Sequence, residues 1–264
     1  MNIPKVGPIK NTPQILYKYR NWYDVHHKSL LTDKELYFVS AKEFNDPFDI
    51  NIKLDYAALS IDEFEQYCIN LLKTDDLTTD ELRKQLRNHP DFYTPEGLEL
   101  QAKLQIEELR KTLGIYCLSA IWDSIPMWGY YGDSHKGYCI GLKTDNIYEK
   151  CSTLSEVSYQ NEYPVLIPRV DLNNFDNFAR QFSYKSISWE HEKEYRFIKL
   201  HFVNQIIKYN SKDVAEIILG FCMKPEYKVE ILDICKTNFP DIPIYETELN
   251  PRQFKLERKL ITNY

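Results

Sequence analysis

The chain has 264 residues, 43% hydrophobic and 27% charged, with a net charge of −6. This is the balance of a soluble globular chain, and its acidic sign argues against bulk electrostatic binding to nucleic acid while leaving room for a local basic groove. No apolar run approaches the roughly 18 residues a membrane span needs, the first residues lack an apolar targeting core, and six cysteines without CxxC or Cys/His ligand spacing point to reduced thiols in a cytoplasmic protein.

The sequence predicts a short strand over 14–20, where Tyr17 and Tyr19 alternate with Lys18 and Arg20. A second strand, 36–39, runs into Phe44-Asn45-Asp46-Pro47-Phe48-Asp49. Pro47 disfavours helix there, and Asn45 or Asp46 can close an Asx turn. A turn needs only one such residue, so three between two phenylalanines place Asn45, Asp46 and Asp49 at a pocket rim. From about 58 to 113 the pattern becomes helical: Phe64, Cys68, Leu71 and Leu72 recur at helical spacing, a long helix is expected from Glu96 to Leu113, and Pro90 and Pro95 separate the pieces.

Strand signals return at 115–119 and 137–142, flanking a compact helical segment at 126–131. Strands are expected near 154–159 and 163–167, then a helix near 171–184 and a charged strand over 192–202. A strand at 214–220, a helix at 225–238 and strands at 244–248 and 254–258 close the chain. Strands dominate both ends and helices cluster in one inserted block. The expectation is a single α+β domain over 1–264, with a mixed, mainly antiparallel sheet and packed helices.

The chemistry concentrates in Trp189 to Ile198. Read as a strand, this stretch puts Glu190, Glu192, Glu194 and Arg196 on the face that continues as Ile198, Leu200 and Phe202. Charges at the head of a core-directed face are costly unless paired or open to a cleft. Glu192 and Glu194 would perturb one another's ionisation, hydrogen-bond a ribose hydroxyl and stabilise an oxocarbenium-like centre. Arg196 would oppose a raised pKa or bind an anionic group. The structural alternative is a salt-bridge ladder at a sheet margin. Trp128 and Tyr131 suit stacking on a planar ligand, His135 and Lys136 contact with phosphate or proton transfer, and Arg20, beside Tyr17, the cradling of a pyrophosphate. Walker A, GxGxxG, GxSxG and HExxH patterns are missing, and no metal motif is clear. Asp46, Asp49, Glu192 and Glu194 are the set a Mg²⁺-dependent nuclease would use.

Four blocks in order, Leu16 to Arg20, Leu36 to Asp49, Cys117 to Leu142 and Trp189 to Arg196, resemble the bacterial DUF2971 family, whose activity its name leaves open. A more distant similarity is to ADP-ribosyltransferases, including DNA-modifying members: an early Arg (Arg20), a Ser-bearing strand and aromatic block (Ser119 to Tyr131), then Glu-x-Glu (Glu192, Glu194). Ser124-Ile125-Pro126-Met127 loosely matches an aromatic segment of those members. That resemblance implies NAD as substrate, with Arg20 on the pyrophosphate, Ser119 shaping the nicotinamide pocket and Tyr131 or Trp128 stacking on nicotinamide. Glu194 would stabilise the oxocarbenium and Glu192 activate the acceptor. It further implies a toxin or phage-defence effector, or an NAD glycohydrolase where water is the acceptor. The rival readings are the Mg²⁺-dependent nuclease and a non-catalytic ligand-binding or interaction module. The latter would have a closed ladder at 190–196 and no pocket beside it.

Overall fold

Alternation in the first strand segregates its side chains as expected: Leu16 is sealed on one face, and Tyr17 and Tyr19 are buried on the other. The computed structural model describes residues 12–50, 53–72, 78–89, 91, 94–151, 153–162, 164–167, 179 and 182–262. The first strands are β1 (Ile15–Arg20), β2 (Glu35–Ser40), β3 (Lys53–Leu54), β4 (Leu113–Ser119) and β5 (Tyr138–Lys143). Next come β6 (Leu154–Glu156), β7 (Ser158–Gln160), β8 (Val165–Leu166), β9 (Tyr184–Ser186) and β10 (Glu194–Leu200). The chain closes through β11 (Gln205–Lys208), β12 (Val214–Leu219), β13 (Ile244–Leu249) and β14 (Leu256–Leu260). The helices are α1 (Val25–Thr32), α2 (Ile61–Leu72), α3 (Thr79–Arg87), α4 (Pro95–Thr112), α5 (Ile125–Tyr130), α6 (Thr144–Cys151) and α7 (Pro225–Asn238).

The large sheet runs β11-β2-β4-β1-β5-β12-β13-β14, and β10 lies on the other edge of β4 and carries β6. Its pairs are antiparallel except β12 with β13. The expected mixed, mainly antiparallel α+β architecture is therefore present. One face packs Leu16, Tyr116, Ile140, Tyr195 and Phe197 against Leu31 of α1, Ile147 of α6 and Ile231 of α7. The other face carries two smaller clusters, one around Ile115, Ile198 and Phe182 and one around Tyr17, Tyr19 and Trp128. The helical block has its own apolar contacts: Tyr56, Phe64, Tyr67 and Ile106 form one cluster and Ile69, Leu82 and Leu86 another.

One irregularity positions everything that follows. β10 covers one edge of β4 from Ser119 to Leu113. The other edge is shared: β1 meets it at Ser119, β2 meets it at Ile115 and Gly114, and neither pairs with residues 116–118. The sheet forks there.

Several expectations change. The charged strand begins at Glu194, because Ile187–Glu192 forms a 3-10 turn that ends on Lys193 in the left-handed region, φ 45°. Leu200 is 37% exposed, and Phe202 packs edge-on to Phe38 on the opposite face, so only Ile198 of the expected apolar continuation is buried beside the carboxylates. Helices α1 and α6 and strand β11 were not anticipated. The expected helix at 171–184 falls mostly outside the described residues, and Tyr184 starts β9 instead. Pro90 and residue 163 also lie outside them. Among the described residues no helix is long and apolar enough to cross a membrane.

Candidate active site at the sheet fork

Arg196 anchors the site. Its side chain is 0% exposed, and all five of its N–H donors are used. Nε and Nη2 donate to Glu194 at 2.8 and 2.9 Å, Nη1 and Nη2 donate to Asp49 at 2.8 and 2.7 Å, and Nη1 also reaches the Phe182 carbonyl at 2.9 Å. Lys185, also buried, places Nζ 2.5 Å from Glu192, 3.2 Å from Glu194 and 3.5 Å from Asp49. Three carboxylates thus face two cations in a region sheltered from water.

That imbalance separates the two glutamates. Burial would raise the pKa of Glu194, but Arg196 and then Lys185 overrule it and hold the carboxyl well below the usual range. Burial, reinforced by the charge of Glu194, raises Glu192 against the pull of Lys185. Glu192 is therefore where a proton can come and go, while Glu194 stays ionised. The Tyr131 hydroxyl donates to Glu192 Oε1 at 2.7 Å, and Asn45 Nδ2 donates to that hydroxyl at 3.3 Å.

Local structure delivers each group. Ser186 caps the 3-10 turn, accepting from the Ser188 N–H. Lys193 reverses the chain, and the turn is pinned to the end of β4: Ser119 Oγ donates to the Glu192 carbonyl at 2.6 Å, and the Ala120 N–H donates to the Lys193 carbonyl at 2.8 Å. Glu192 therefore meets Glu194 through this turn rather than through strand alternation. Asp46 closes an Asx turn, accepting from the Phe48 N–H at 2.9 Å, and the turn hands Asp49 to Arg196.

A cavity of about 290 Å³ occupies the fork. Glu192, Glu194, Lys185 and Tyr131 line it, and Tyr17, Lys18 and Arg20 line it from β1. Asn45 and Ser119 also reach it. Lys18 bridges the unpaired stretch of β4: Nζ donates to the Cys117 carbonyl at 2.7 Å and lies 4.8 Å from the centre of the Tyr116 ring. Burial, then the charge of Arg20, pushes the Lys18 ammonium down to about 7. The Tyr17 hydroxyl is spent on Glu216 at 2.8 Å, so Tyr17 offers its ring to the cavity.

Of the residues singled out from sequence, the cavity gathers Tyr17, Arg20, Asn45, Ser119, Tyr131, Glu192 and Glu194. Asp49 and Arg196 stand behind it, and Arg196 spends its donors on Asp49, Glu194 and the Phe182 carbonyl, so it has none left for an anionic ligand. The other four are corrections. Trp128 is 0% exposed, edge-on to Tyr19, and its indole N–H donates to the Trp122 carbonyl, so it is core rather than a stacking surface. His135 lies between Trp128 and Phe221, beside a different cavity at the β13–β14 loop. Lys136 is exposed and lines no part of the fork. Asp46 is buried in its turn rather than at the rim. Sequence reasoning missed Lys18 and Lys185. The alternation that flagged Tyr17 and Arg20 also flanks Lys18, and three clustered carboxylates already called for a second cation.

The carboxylates do not fit a divalent cation. Asp49 and Glu194 aim their oxygens at Arg196, Lys185 stands among Asp49, Glu192 and Glu194, and Asp46 spends one oxygen on its own turn. Among the described residues no group of three or more His, Cys, Asp and Glu is placed to hold a metal ion. The ladder expected at 190–196 is replaced by a buried network that recruits Asp49 and Lys185 and leaves Glu190 exposed and paired with Lys193, and this network and the cavity coexist.

No curated protein and no solved structure matches the chain. The family model described as "Protein of unknown function (DUF2971)" matches residues 127–197, the segment that supplies Tyr131, Lys185, Glu192, Glu194 and Arg196, and over that span the resemblance read from the sequence holds.

Proposed function

We propose that the cavity binds a nucleotide, with NAD as the substrate, and that the protein cleaves the N-glycosidic bond at its ribose, passing the ADP-ribosyl group to an acceptor or to water. The observation that carries this reading is the mixed lining of one cavity: two cations without carboxylate partners, Lys18 and Arg20, and a pair of carboxylates with opposed pKa shifts, Glu192 and Glu194. A nucleotide presents the matching groups, phosphates and a reacting sugar carbon.

The roles differ from the first expectation. Glu194 spends its oxygens on Arg196 and Lys185, so it acts as a fixed negative charge near the developing oxocarbenium. Glu192, held by Tyr131 and Lys185, is the group that handles protons. As the ribosyl carbon–nitrogen bond breaks, nicotinamide leaves with the bonding pair and neutralises its ring. The acceptor then attacks the sugar cation, and its proton passes to Glu192. Tyr17 and Tyr131 supply the ring surfaces that orient the ligand.

The test is incubation with NAD, followed for free nicotinamide and for label on an acceptor. Glu192→Gln is expected to cut turnover by about 10²–10⁴ in a protein that still melts as a folded chain. A toxin or phage-defence role goes with this reading and predicts that growth arrest on expression in a bacterial host is relieved by the same substitution. The closed ion network favours a second reading, a ligand-binding module, which predicts that NAD or ADP-ribose binds and is recovered intact.

A further inference from the structure

We propose that Lys18 and Arg20 form a phosphate-ester subsite in the fork, and that Lys18 takes up a proton as the anion binds. This deepens the nucleotide reading above, on which it rests, by assigning the phosphates to one wall of the cavity and coupling their binding to pH.

Lys18 and Arg20 sit two apart on β1, share a face and line the same cavity. Among the described residues nothing hydrogen-bonds to or ion-pairs with the Arg20 guanidinium. Lys18 has a carbonyl and an aromatic ring as partners, and no carboxylate lies within ion-pair distance. Two further polar groups near Arg20 are unspent. The Tyr116 hydroxyl, on a residue 2% exposed, and His27 Nδ1 are both buried without a hydrogen-bond partner. Arg20 is close enough to both to influence their ionisation. Buried polar groups seldom go unpartnered without a reason. Here two of them lie near Arg20, beside the cavity that Lys18 and Arg20 line.

The groups facing Lys18 come from every neighbouring element. Arg20 on β1 opposes its charge, whereas Glu194 on β10 and Glu192 on the 3-10 turn favour it. On β4, burial keeps the Cys117 thiol and the Tyr116 hydroxyl neutral by raising both. His27 on α1 is pushed down to about 4 by burial and then by Arg20, so it too is neutral at pH 7. Cys117, Tyr116 and His27 thus keep one charge state around pH 7, whereas Lys18, lowered to about 7, does not. An anion beside it favours the ammonium and raises its pKa. The bound state then holds more protons than the free state above about pH 7, so affinity rises as pH falls and levels off below that point.

ADP-ribose is the probe, because its phosphodiesters do not titrate near neutrality. Calorimetry in buffers of different ionisation enthalpy should show uptake approaching one proton per ligand at pH 8.5 and little at pH 6. Lys18→Met should weaken binding about tenfold or more at pH 6.5 and remove the proton uptake, and Arg20→Gln should weaken it at both pH values. His27→Gln should leave the uptake in place, and its loss in that variant would overturn the assignment to Lys18. ADP-ribose binding without proton uptake sinks this inference and leaves the nucleotide reading standing. Binding of inorganic pyrophosphate without binding of ADP-ribose does the reverse, and binding of neither overturns both. If Lys18→Met does not fold, the uptake measured on the wild-type protein still decides.

Discussion

Two pairs of cations serve the same cavity, three of the four lining it and Arg196 standing behind, and they differ in how their donors are spent. Arg196 and Lys185 lie among Asp49, Glu192 and Glu194, with every guanidinium N–H engaged. Lys18 and Arg20 have no carboxylate of their own. A saturated buried pair holds structure and sets the ionisation of its neighbours, because its own desolvation is already offset. A pair with donors to give is poised for a ligand. Cations of similar kind a few residues from one cavity thus have separable duties.

The sharpest way to break that comparison is Arg196→Met, which leaves Asp49 and Glu194 buried without their main partner. It should lower unfolding free energy by about 3–5 kcal/mol in denaturant titrations. A loss under about 1 kcal/mol would show that the saturated pair holds little. Glu194→Gln should cost about 2–3 kcal/mol at pH 7. Because the folded pKa of Glu194 lies below the unfolded one, its contribution is present above roughly pH 4.3 and fades as pH falls further. Melting curves of the variant should therefore flatten across that acid range relative to wild type.

Lys18→Met should behave oppositely. The folded pKa, about 7, lies below the unfolded value of 10.5, so the ammonium destabilises most below pH 7 and the penalty disappears as pH rises toward 10.5. The variant should gain about 1–3 kcal/mol relative to wild type at pH 6 compared with pH 9, read from paired melts. Equal differences at both pH values would mean that Lys18 is an ordinary surface amine. Tyr131→Phe should have the smallest effect, about 1 kcal/mol of stability. Losing that donor raises Glu192 further, so the acid limb of an activity profile should move to higher pH.

Much of this was legible in periodicity. Alternation located β1 and the run from Glu194, and the 225–238 helix matches α7 at both ends. What periodicity could not supply was the turn before β10, because a lysine at φ 45° carries no sequence signal and only its hydrogen-bonded setting holds it there. The partner of Arg196 lies 147 residues away in Asp49, a pairing made by topology rather than local pattern. Trp128 misled because an aromatic beside glycine looks the same whether it lines a cleft or fills the core behind Tyr19.

The walls of the cavity are also widely spaced in time. Tyr17 to Arg20 are made before Lys185, Glu192 and Glu194, and at ordinary translation speeds the stretch between them takes roughly ten seconds or more. A nascent chain thus carries the cationic wall well before the acid–base wall exists, and β4 must wait for β10 to cover its edge. Any chain cut short before Lys185 would lack Lys185, Glu192 and Glu194 together, so whatever chemistry the fork supports begins only after they have been made.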